Sequence, residues 1–150
     1  MNVESNESED LGLPRDEPNL EGIRVLVVDD EQDTLELIVF ILQEYGAIVQ
    51  AVTSATEALN ILVNVQPDVL LSDIGMPEMD GYMFIQQIRS LCPEQGGEIP
   101  AIALTAYAGE TDHQQILLAG FQKHVTKPVE PAFLANAIAT LLRGNSNLER

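Results

Sequence analysis

Five short apolar runs alternate with segments of helical periodicity, and this alternation constrains the fold more than any other feature of the sequence. The runs are rich in β-branched residues and almost continuously apolar, as expected of strands that are buried on both faces of a parallel sheet. Parallel strands joined by single helices require right-handed crossovers. The pattern therefore predicts an α/β fold with a five-stranded, parallel, doubly wound sheet and five helices. The predicted strands are Ile23–Val28, Ala47–Val52, Asp68–Ser72, Pro100–Leu104 and Phe121–Thr126.

The segments between the strands carry apolar residues at spacings of three and four, and several have clear end signals. The first helix is predicted over Gln32–Tyr45. Ser54 followed by Glu57 is a capping-box signature at the start of the second helix. Pro131 suits the first turn of the last helix, and Gly144 is expected to end it. The third and fourth helices are marked by Phe84, Ile88 and Leu91 and by Ile116 and Leu117.

The distribution of charge divides the chain of 150 residues into a tail and one domain. Met1–Gly22 carries seven acidic residues and one arginine, contains two prolines and has few large apolar residues. Such a segment cannot bury enough apolar surface to offset the entropy lost on ordering. We predict a disordered acidic tail or linker over residues 1–21, a domain over residues 22–143 and a C-terminal tail over residues 144–150. No effector domain is expected to follow.

The acidic composition excludes several classes of partner. With 24 Asp and Glu against 7 Lys and Arg, the formal net charge is −17. No broad basic face is available, so direct binding of nucleic acid or of an anionic membrane surface is not expected. The one cysteine, Cys92, excludes an intramolecular disulfide, and no apolar run approaches the roughly 20 residues of a spanning helix. We predict a cytoplasmic protein.

Polar residues follow the apolar runs at the carboxyl ends of the predicted strands, where doubly wound sheets bind ligands. Asp29 and Asp30 follow the first run, Asp73 the third, Thr105 the fourth and Lys127 the fifth. Three carboxylates on one rim repel one another and favour a cation, and a hard, all-oxygen set suits Mg²⁺. An ammonium and a hydroxyl beside them form a receptacle for a transferring phosphoryl group, with an aspartate placed to attack it.

Some of these residues also have an ordinary structural interpretation. An aspartate after a strand is often a turn former or a helix N-cap, and this stays open for part of Asp29–Glu31. Glu31 is interpreted as charge in the first turn of a helix. His113 is expected to be an exposed helix residue.

The rim residues lie within four longer motifs. Through these motifs the chain resembles the receiver domains of two-component response regulators. The resemblance covers Ile23–Leu142 and implies a flavodoxin-like fold with strand order 2-1-3-4-5. The motifs are VLVVDDE (Val25–Glu31), LLSDIGMPEMDGY (Leu70–Tyr82), PAIALTAYA (Pro100–Ala108) and KHVTKPVEP (Lys123–Pro131).

The resemblance implies a phosphoacceptor and a metal site. Asp73 would accept the phosphoryl group and would also bind Mg²⁺. Asp30 would bind the ion directly, Asp29 would hold it through water, and the backbone carbonyl of Gly75 would complete the protein ligands. Gly75 and Tyr107 occupy positions that tune the access of water to the acyl phosphate, and thus its lifetime.

The resemblance also implies how the phosphoryl group is contacted and sensed. Thr105 and Lys127 would contact it, and the bond from Lys127 to Pro128 would be cis. His124 occupies the place of an aromatic residue that, in many receivers, turns inward when the threonine moves. Its alternative is a half-buried strand side chain with no switching role.

These assignments imply a signalling phosphoacceptor that is at most self-catalysing, and not an enzyme. Its partners would be a histidine kinase or histidine phosphotransfer domain, and a downstream protein on the face built by the fourth helix, fifth strand and fifth helix. The motif sequences are most similar to those of receivers in hybrid histidine kinases, although a stand-alone receiver remains an alternative. The alternatives are a receiver-like interaction module that is never phosphorylated, or a Mg²⁺-dependent aspartyl phosphohydrolase of the haloacid dehalogenase type. Such phosphohydrolases place a second aspartate where this chain has Gly75.

Overall fold

Within the described residues, five strands alternate with five α-helices. The computed structural model describes residues 18–106 and 109–149, and at 110, 111 and 144–149 it describes the backbone alone. None of the helices in this described part combines the length and apolar character that a bilayer crossing needs. In chain order the elements are β1 (Arg24–Val28), α1 (Gln32–Glu44), β2 (Ile48–Val52), α2 (Ala55–Val65), β3 (Val69–Asp73), α3 (Gly81–Arg89), a 3₁₀ turn (Pro93–Gln95), β4 (Ala101–Thr105), α4 (Glu110–Ala119), β5 (Lys123–Thr126) and α5 (Pro131–Glu149).

The strands form one parallel sheet in the order β2-β1-β3-β4-β5. This confirms the predicted doubly wound α/β fold and its strand order 2-1-3-4-5. β3 and β4 are buried at every residue and β1 at all but the first, whereas the edge strands β2 and β5 are partly exposed. The continuous apolar character of the central strands thus follows from their position.

Two hydrophobic cores lie on opposite faces of the sheet. α1 and α5 pack on one face, and α2, α3 and α4 pack on the other. Successive side chains of a strand point to opposite faces, so Val25 and Val27 of β1 join the first core while Leu26 and Val28 join the second. Both faces are covered by helices, as a parallel sheet requires.

One of the two bonds of the predicted capping box at α2 is present, and the other is shifted by one residue. The Glu57 N–H donates to Ser54 Oγ at 3.1 Å, which satisfies one of the free donors of the first turn. The Glu57 carboxylate accepts the Thr53 N–H at 3.0 Å, one residue before the N-cap. Pro131 is the first residue of α5, as predicted.

The structure corrects several predicted boundaries. The tail predicted over residues 1–21 reaches too far, because Leu20 is fully buried in the core beside α1 and its N–H donates to the Tyr45 carbonyl at 2.9 Å. Residues 1–17 lie outside the described part. The helix end predicted at Gly144 is also wrong, because α5 continues to Glu149 and so includes most of the predicted C-terminal tail. A glycine inside a helix costs only about 1 kcal/mol, which neighbouring residues can offset. The limits of the domain otherwise stay a prediction.

Arg89, the last residue of α3, joins three segments at the amino-terminal end of the sheet. Its Nε and Nη2 donate to the Gly120 carbonyl at 3.0 and 2.8 Å, and its Nη1 donates to the Gly97 carbonyl at 3.0 Å. Gln122 accepts a further bond from Nη2 at 3.3 Å. Burial lowers the pKa of this guanidinium, with Glu98 opposing the shift. The planar fork of arginine suits such a set of acceptors better than the single ammonium of lysine.

We expect Arg89→Ala to lower the free energy of unfolding by about 1.5–3 kcal/mol, because it leaves partly buried carbonyls without their charged donor. Arg89→Lys should fall between this variant and the wild type. Arg143→Ala, at an exposed position of α5, is the matched control and should change stability by about 0.5 kcal/mol or less. Urea unfolding measures all three, and equal losses for Arg89→Ala and Arg143→Ala would contradict the bridging role.

Candidate functional site

The carboxyl ends of four strands meet at one rim of the sheet and bring the predicted site residues together. Asp29 and Asp30 follow β1, Asp73 and Thr105 are the last residues of β3 and β4, and Lys127 follows β5. A pocket of about 280 Å³ opens at this rim. Its lining residues are Asp30, Glu31, Asp73, Ile74, Gly75, Thr105, Ala106 and Lys127.

Three carboxylates cluster at the rim. Asp29, Asp30 and Asp73 each place one oxygen within 4.8 Å of the others. Asp29 is fully buried, Asp73 is 6% exposed and Asp30 is exposed. Asp29 therefore lies at the floor of the site and Asp30 at its open side. An all-oxygen set of this kind matches the ligand preference of Mg²⁺.

Lys127 places its ammonium among the carboxylates. Its Nζ lies 3.0 Å from Asp29 Oδ2, 3.3 Å from Asp73 Oδ1 and 3.7 Å from Glu31 Oε1. Burial alone would lower the pKa of Lys127, but Asp29 and Asp73 outweigh it and raise the pKa above its usual value. The amine is therefore held in its charged form. Apart from this ion pair, Oδ2 of Asp29 has no hydrogen-bond partner among the described atoms.

The carboxylates retain an unfavourable excess of negative charge. Burial raises the pKa of Asp29, against the opposing effects of the Glu31 N–H and of Lys127, and the charge of Asp73 adds to the increase. Desolvation at the rim also raises the pKa of Asp30, although its side chain is exposed, and Asp73 again contributes. One ammonium does not balance three carboxylates, so the arrangement favours a further cation.

The loop after β3 is shaped by two glycines. The Gly75 N–H donates to Asp73 Oδ1 at 3.3 Å, which orients the carboxylate. The Gly81 N–H donates to the Ile74 carbonyl at 2.8 Å and closes the loop on the end of the strand. A Cβ at Gly81 would lie 2.5 Å from the backbone oxygen of Asp73, so this close approach requires a glycine.

Thr105 and Lys127 are linked through the backbone as well as by their position. Thr105 is buried, and its carbonyl accepts the Lys127 N–H at 2.7 Å. The bond between Lys127 and Pro128 is cis, as expected from the resemblance. Tyr107, the other residue predicted to tune phosphoryl lifetime, lies outside the described residues.

His124 does not line the rim pocket. It is half-buried on β5, and its Nδ1 lies 2.9 Å from Nδ1 of His113 on α4. The two rings meet edge to face with centroids 4.7 Å apart. Burial lowers the pKa of His124, and His113 adds to the shift. The expectation that His113 is exposed is wrong, since it is partly buried against this ring.

The sequence did not predict two contacts of the candidate site residues, that of Glu31 with Lys127 and that of His113 with His124. Glu31 was interpreted as helix charge alone, but its carboxylate also lines the pocket and approaches Lys127. Its place directly after Asp30 was the available signal. His113 carried no signal, because contact with a residue eleven positions later depends on how α4 rotates on the sheet.

Comparisons with known proteins agree with this geometry. The family model of the response regulator receiver domain matches residues 25–139. A Leptolyngbya boryana protein, named as an uncharacterized 14.6 kDa protein in the sodA1 3'region, is 47% identical over 114 residues, which cover 76% of this chain and 86% of that protein. Hybrid signal transduction histidine kinase D of Dictyostelium discoideum is 36% identical over 82% of this chain, which spans only 8% of the kinase.

Solved structures give the same family. Chemotaxis protein CheY4 of Vibrio cholerae superposes with a TM-score of 0.74 at 27% identity, over 79% of this chain and 98% of that one. The signal receiver domain of a histidine kinase from Syntrophus aciditrophicus gives 0.73 at 32% identity, over 82% and 92% of the two chains. The chain belongs to the family of response regulator receiver domains of two-component signalling.

Proposed function

We propose that this receiver domain accepts a phosphoryl group from a phosphohistidine on the carboxylate of Asp73. The position of Asp73 is the main support. The side chain is almost completely buried at the end of β3, yet it borders the open pocket. One of its oxygens lies 3.3 Å from the Lys127 ammonium. An aspartate that served only as a turn former would not need a cation and two further carboxylates around it.

The transfer exchanges one bond to phosphorus for another. An oxygen of Asp73 forms the new P–O bond while the P–N bond to the donor imidazole breaks, and the imidazole leaves with the electron pair. The product is an acyl phosphate. Lys127 lies close enough to Asp73 to neutralise charge on the incoming oxygens, and the Gly75 N–H holds the attacking carboxylate in place.

We propose Mg²⁺ as the cation of this site, held by Asp29, Asp30, Asp73 and the backbone carbonyl of Gly75. The clustered carboxylate oxygens support this choice, and so does Oδ2 of Asp29, whose one partner among the described atoms is the Lys127 ammonium. When bound, Mg²⁺ offsets the negative charge of the phosphoryl oxygens. Lys127 contributes the second positive charge and separates Asp29 from Asp73.

Receiver domains interact with histidine kinases or phosphotransfer proteins, and we propose such a protein as the donor here. The chain would act as a signalling phosphoacceptor and not as an enzyme on other substrates. We further propose that Thr105 and His124 respond to the phosphoryl group and change the α4–β5–α5 face, where a downstream protein binds. A cytoplasmic location is part of this proposal, in keeping with the free, exposed Cys92.

Asp73→Asn tests the phosphoacceptor. With Mg²⁺ and acetyl phosphate, the wild type should gain one phosphoryl group in intact-protein mass spectrometry, and the variant should gain none, because an amide is not a competent nucleophile. Asp33→Asn, which removes an exposed carboxylate from the first turn of α1, is the control and should be phosphorylated like the wild type. Phosphorylation of the Asp73→Asn variant would overturn the assignment.

Asp30→Asn tests the charge excess. Without metal at neutral pH, the variant should unfold at a temperature a few degrees higher than the wild type. A carboxyl group whose folded pKa is raised costs stability wherever it is ionised. The gain should fade as the pH falls toward the unfolded value of 3.8, where the carboxyl takes up its proton in both states.

Mg²⁺ should reverse this order. It should raise the unfolding temperature of the wild type, because it binds the folded state, and should raise that of Asp30→Asn much less. Calorimetric scans with and without Mg²⁺ measure both effects, with Asp33→Asn again as the control. An equal Mg²⁺ response in wild type and Asp30→Asn would count against Asp30 as a direct ligand.

A further inference from the structure

The two histidines of the chain meet outside the phosphoryl site. His113 of α4 and His124 of β5 are the only histidines in the sequence, and their Nδ1 atoms lie 2.9 Å apart. Both line a pocket of about 400 Å³ whose other lining residues come from β5, the residue before it, and α5. Their side chains therefore join α4 to β5 on the face proposed for output.

The two Nδ1 atoms lie within hydrogen-bonding distance, so only one of them can carry a proton in this contact. One Nδ1 must donate an N–H and the other must offer its lone pair. Two neutral rings meet this condition in the right tautomers, and so does a pair in which one ring is charged. Two charged rings would direct two N–H groups at each other, so double protonation breaks the contact.

The pair bridges the two segments that carry the predicted phosphoryl contacts. His124 lies on the strand that leads to Lys127, and His113 lies on the helix that follows the strand ending in Thr105. In the sheet, His124 is paired with Ala103, two residues before Thr105. A shift of Thr105 that moves α4 relative to β5 must therefore act on this hydrogen bond.

We propose that His113 is a positioning residue for the phosphoryl response: through its hydrogen bond to His124, it holds α4 on β5 in the unphosphorylated packing. Phosphorylation must break this hydrogen bond between His113 and His124, which we call the latch. Removal of the latch therefore makes the phosphorylated packing easier to reach. The proposal rests on the proposed function of Asp73. It adds that a second proton on the pair releases the latch.

Few charged groups surround the pair among the described residues. Lys123 of β5 lines the same pocket, whereas the α5 residues there (Phe133, Asn136, Ala137 and Thr140) and Gln122 are uncharged. Asp112 precedes His113 on α4, and its charge acts on Tyr82 of α3. Burial and the neighbouring His113 disfavour the charged form of His124, which keeps the latch closed at neutral pH.

Three variants separate the effect of the hydrogen bond from the effect of protonation at residue 113. His113→Leu removes the bond. His113→Asn keeps a hydrogen-bonding group at about the place of Nδ1 but cannot be protonated. Gln114→Leu changes the next, exposed residue of α4 and is the control. The readout is the affinity for beryllofluoride, a phosphoryl mimic, in saturating Mg²⁺, measured by calorimetry because the chain has no tryptophan.

The expected order of affinities changes with pH. At about pH 7.5 the leucine variant should bind about three- to tenfold more tightly than the wild type, while the asparagine variant and the control match the wild type. As the pH is lowered and the pair takes up a second proton, the wild type should come to match the leucine variant and exceed the asparagine variant by a similar factor, because two charged rings cannot share the hydrogen bond. Titration of the site carboxylates affects all variants alike and cancels in these ratios.

Distinct results overturn the two proposals. Binding to the wild type with no gain in His113→Leu at about pH 7.5 would overturn the latch alone. An asparagine variant that follows the leucine variant at that pH would show that the hydrogen bond is not the cause, and would overturn it too. If His113→Leu fails to fold, the comparison of wild type with His113→Asn as the pH is lowered decides. A wild type that binds no beryllofluoride would overturn the phosphoacceptor and the latch together.

Discussion

The ion pairs of Lys127 are the interaction on which the candidate site depends. Two almost fully buried carboxylates, Asp29 and Asp73, lie side by side at the rim, and the Lys127 ammonium is within 3.3 Å of both. Without a cation, two such charges would be expelled to solvent or one would be neutralised by a proton. With only one ammonium, the site stays short of positive charge, and this deficit makes it receptive to a divalent ion.

The sheet supplies the rigidity that keeps this costly arrangement in place. β1 and β3 are flanked by strands on both sides and by helices on both faces, so the residues at their carboxyl ends cannot move without disturbing a core. Asp29 and Asp73 lie at these ends. The geometry of the site is therefore maintained by the hydrophobic packing of residues that take no part in its chemistry.

Periodicity and end signals were sufficient to predict the element order and the five rim residues, because each rests on local sequence pattern. The strand order was implied by the family resemblance and not by these patterns. Two strands end one residue later than predicted, because Asp73 and Thr105 pair with the neighbouring strands as well as belonging to the site. Leu20 was missed because burial of an isolated apolar residue depends on a contact with Tyr45, which is distant in sequence. The three-way contact of Arg89 and the pairing of His113 with His124 depend on how helices rotate on the sheet, which no spacing rule encodes.

The two sides of the site differ in how freely they can respond to a ligand. Asp29 and Asp73 belong to the buried centre of the sheet, whereas Lys127 follows β5, a four-residue edge strand with one fully buried residue. Segments with little burial open at lower free-energy cost than core strands do. Since the Thr105 carbonyl accepts the Lys127 N–H, a change at the end of β4 reaches the edge strand directly. The response to charge at Asp73 should therefore run toward β5 and α4, because the opposite direction leads into the strands that hold the carboxylates in place.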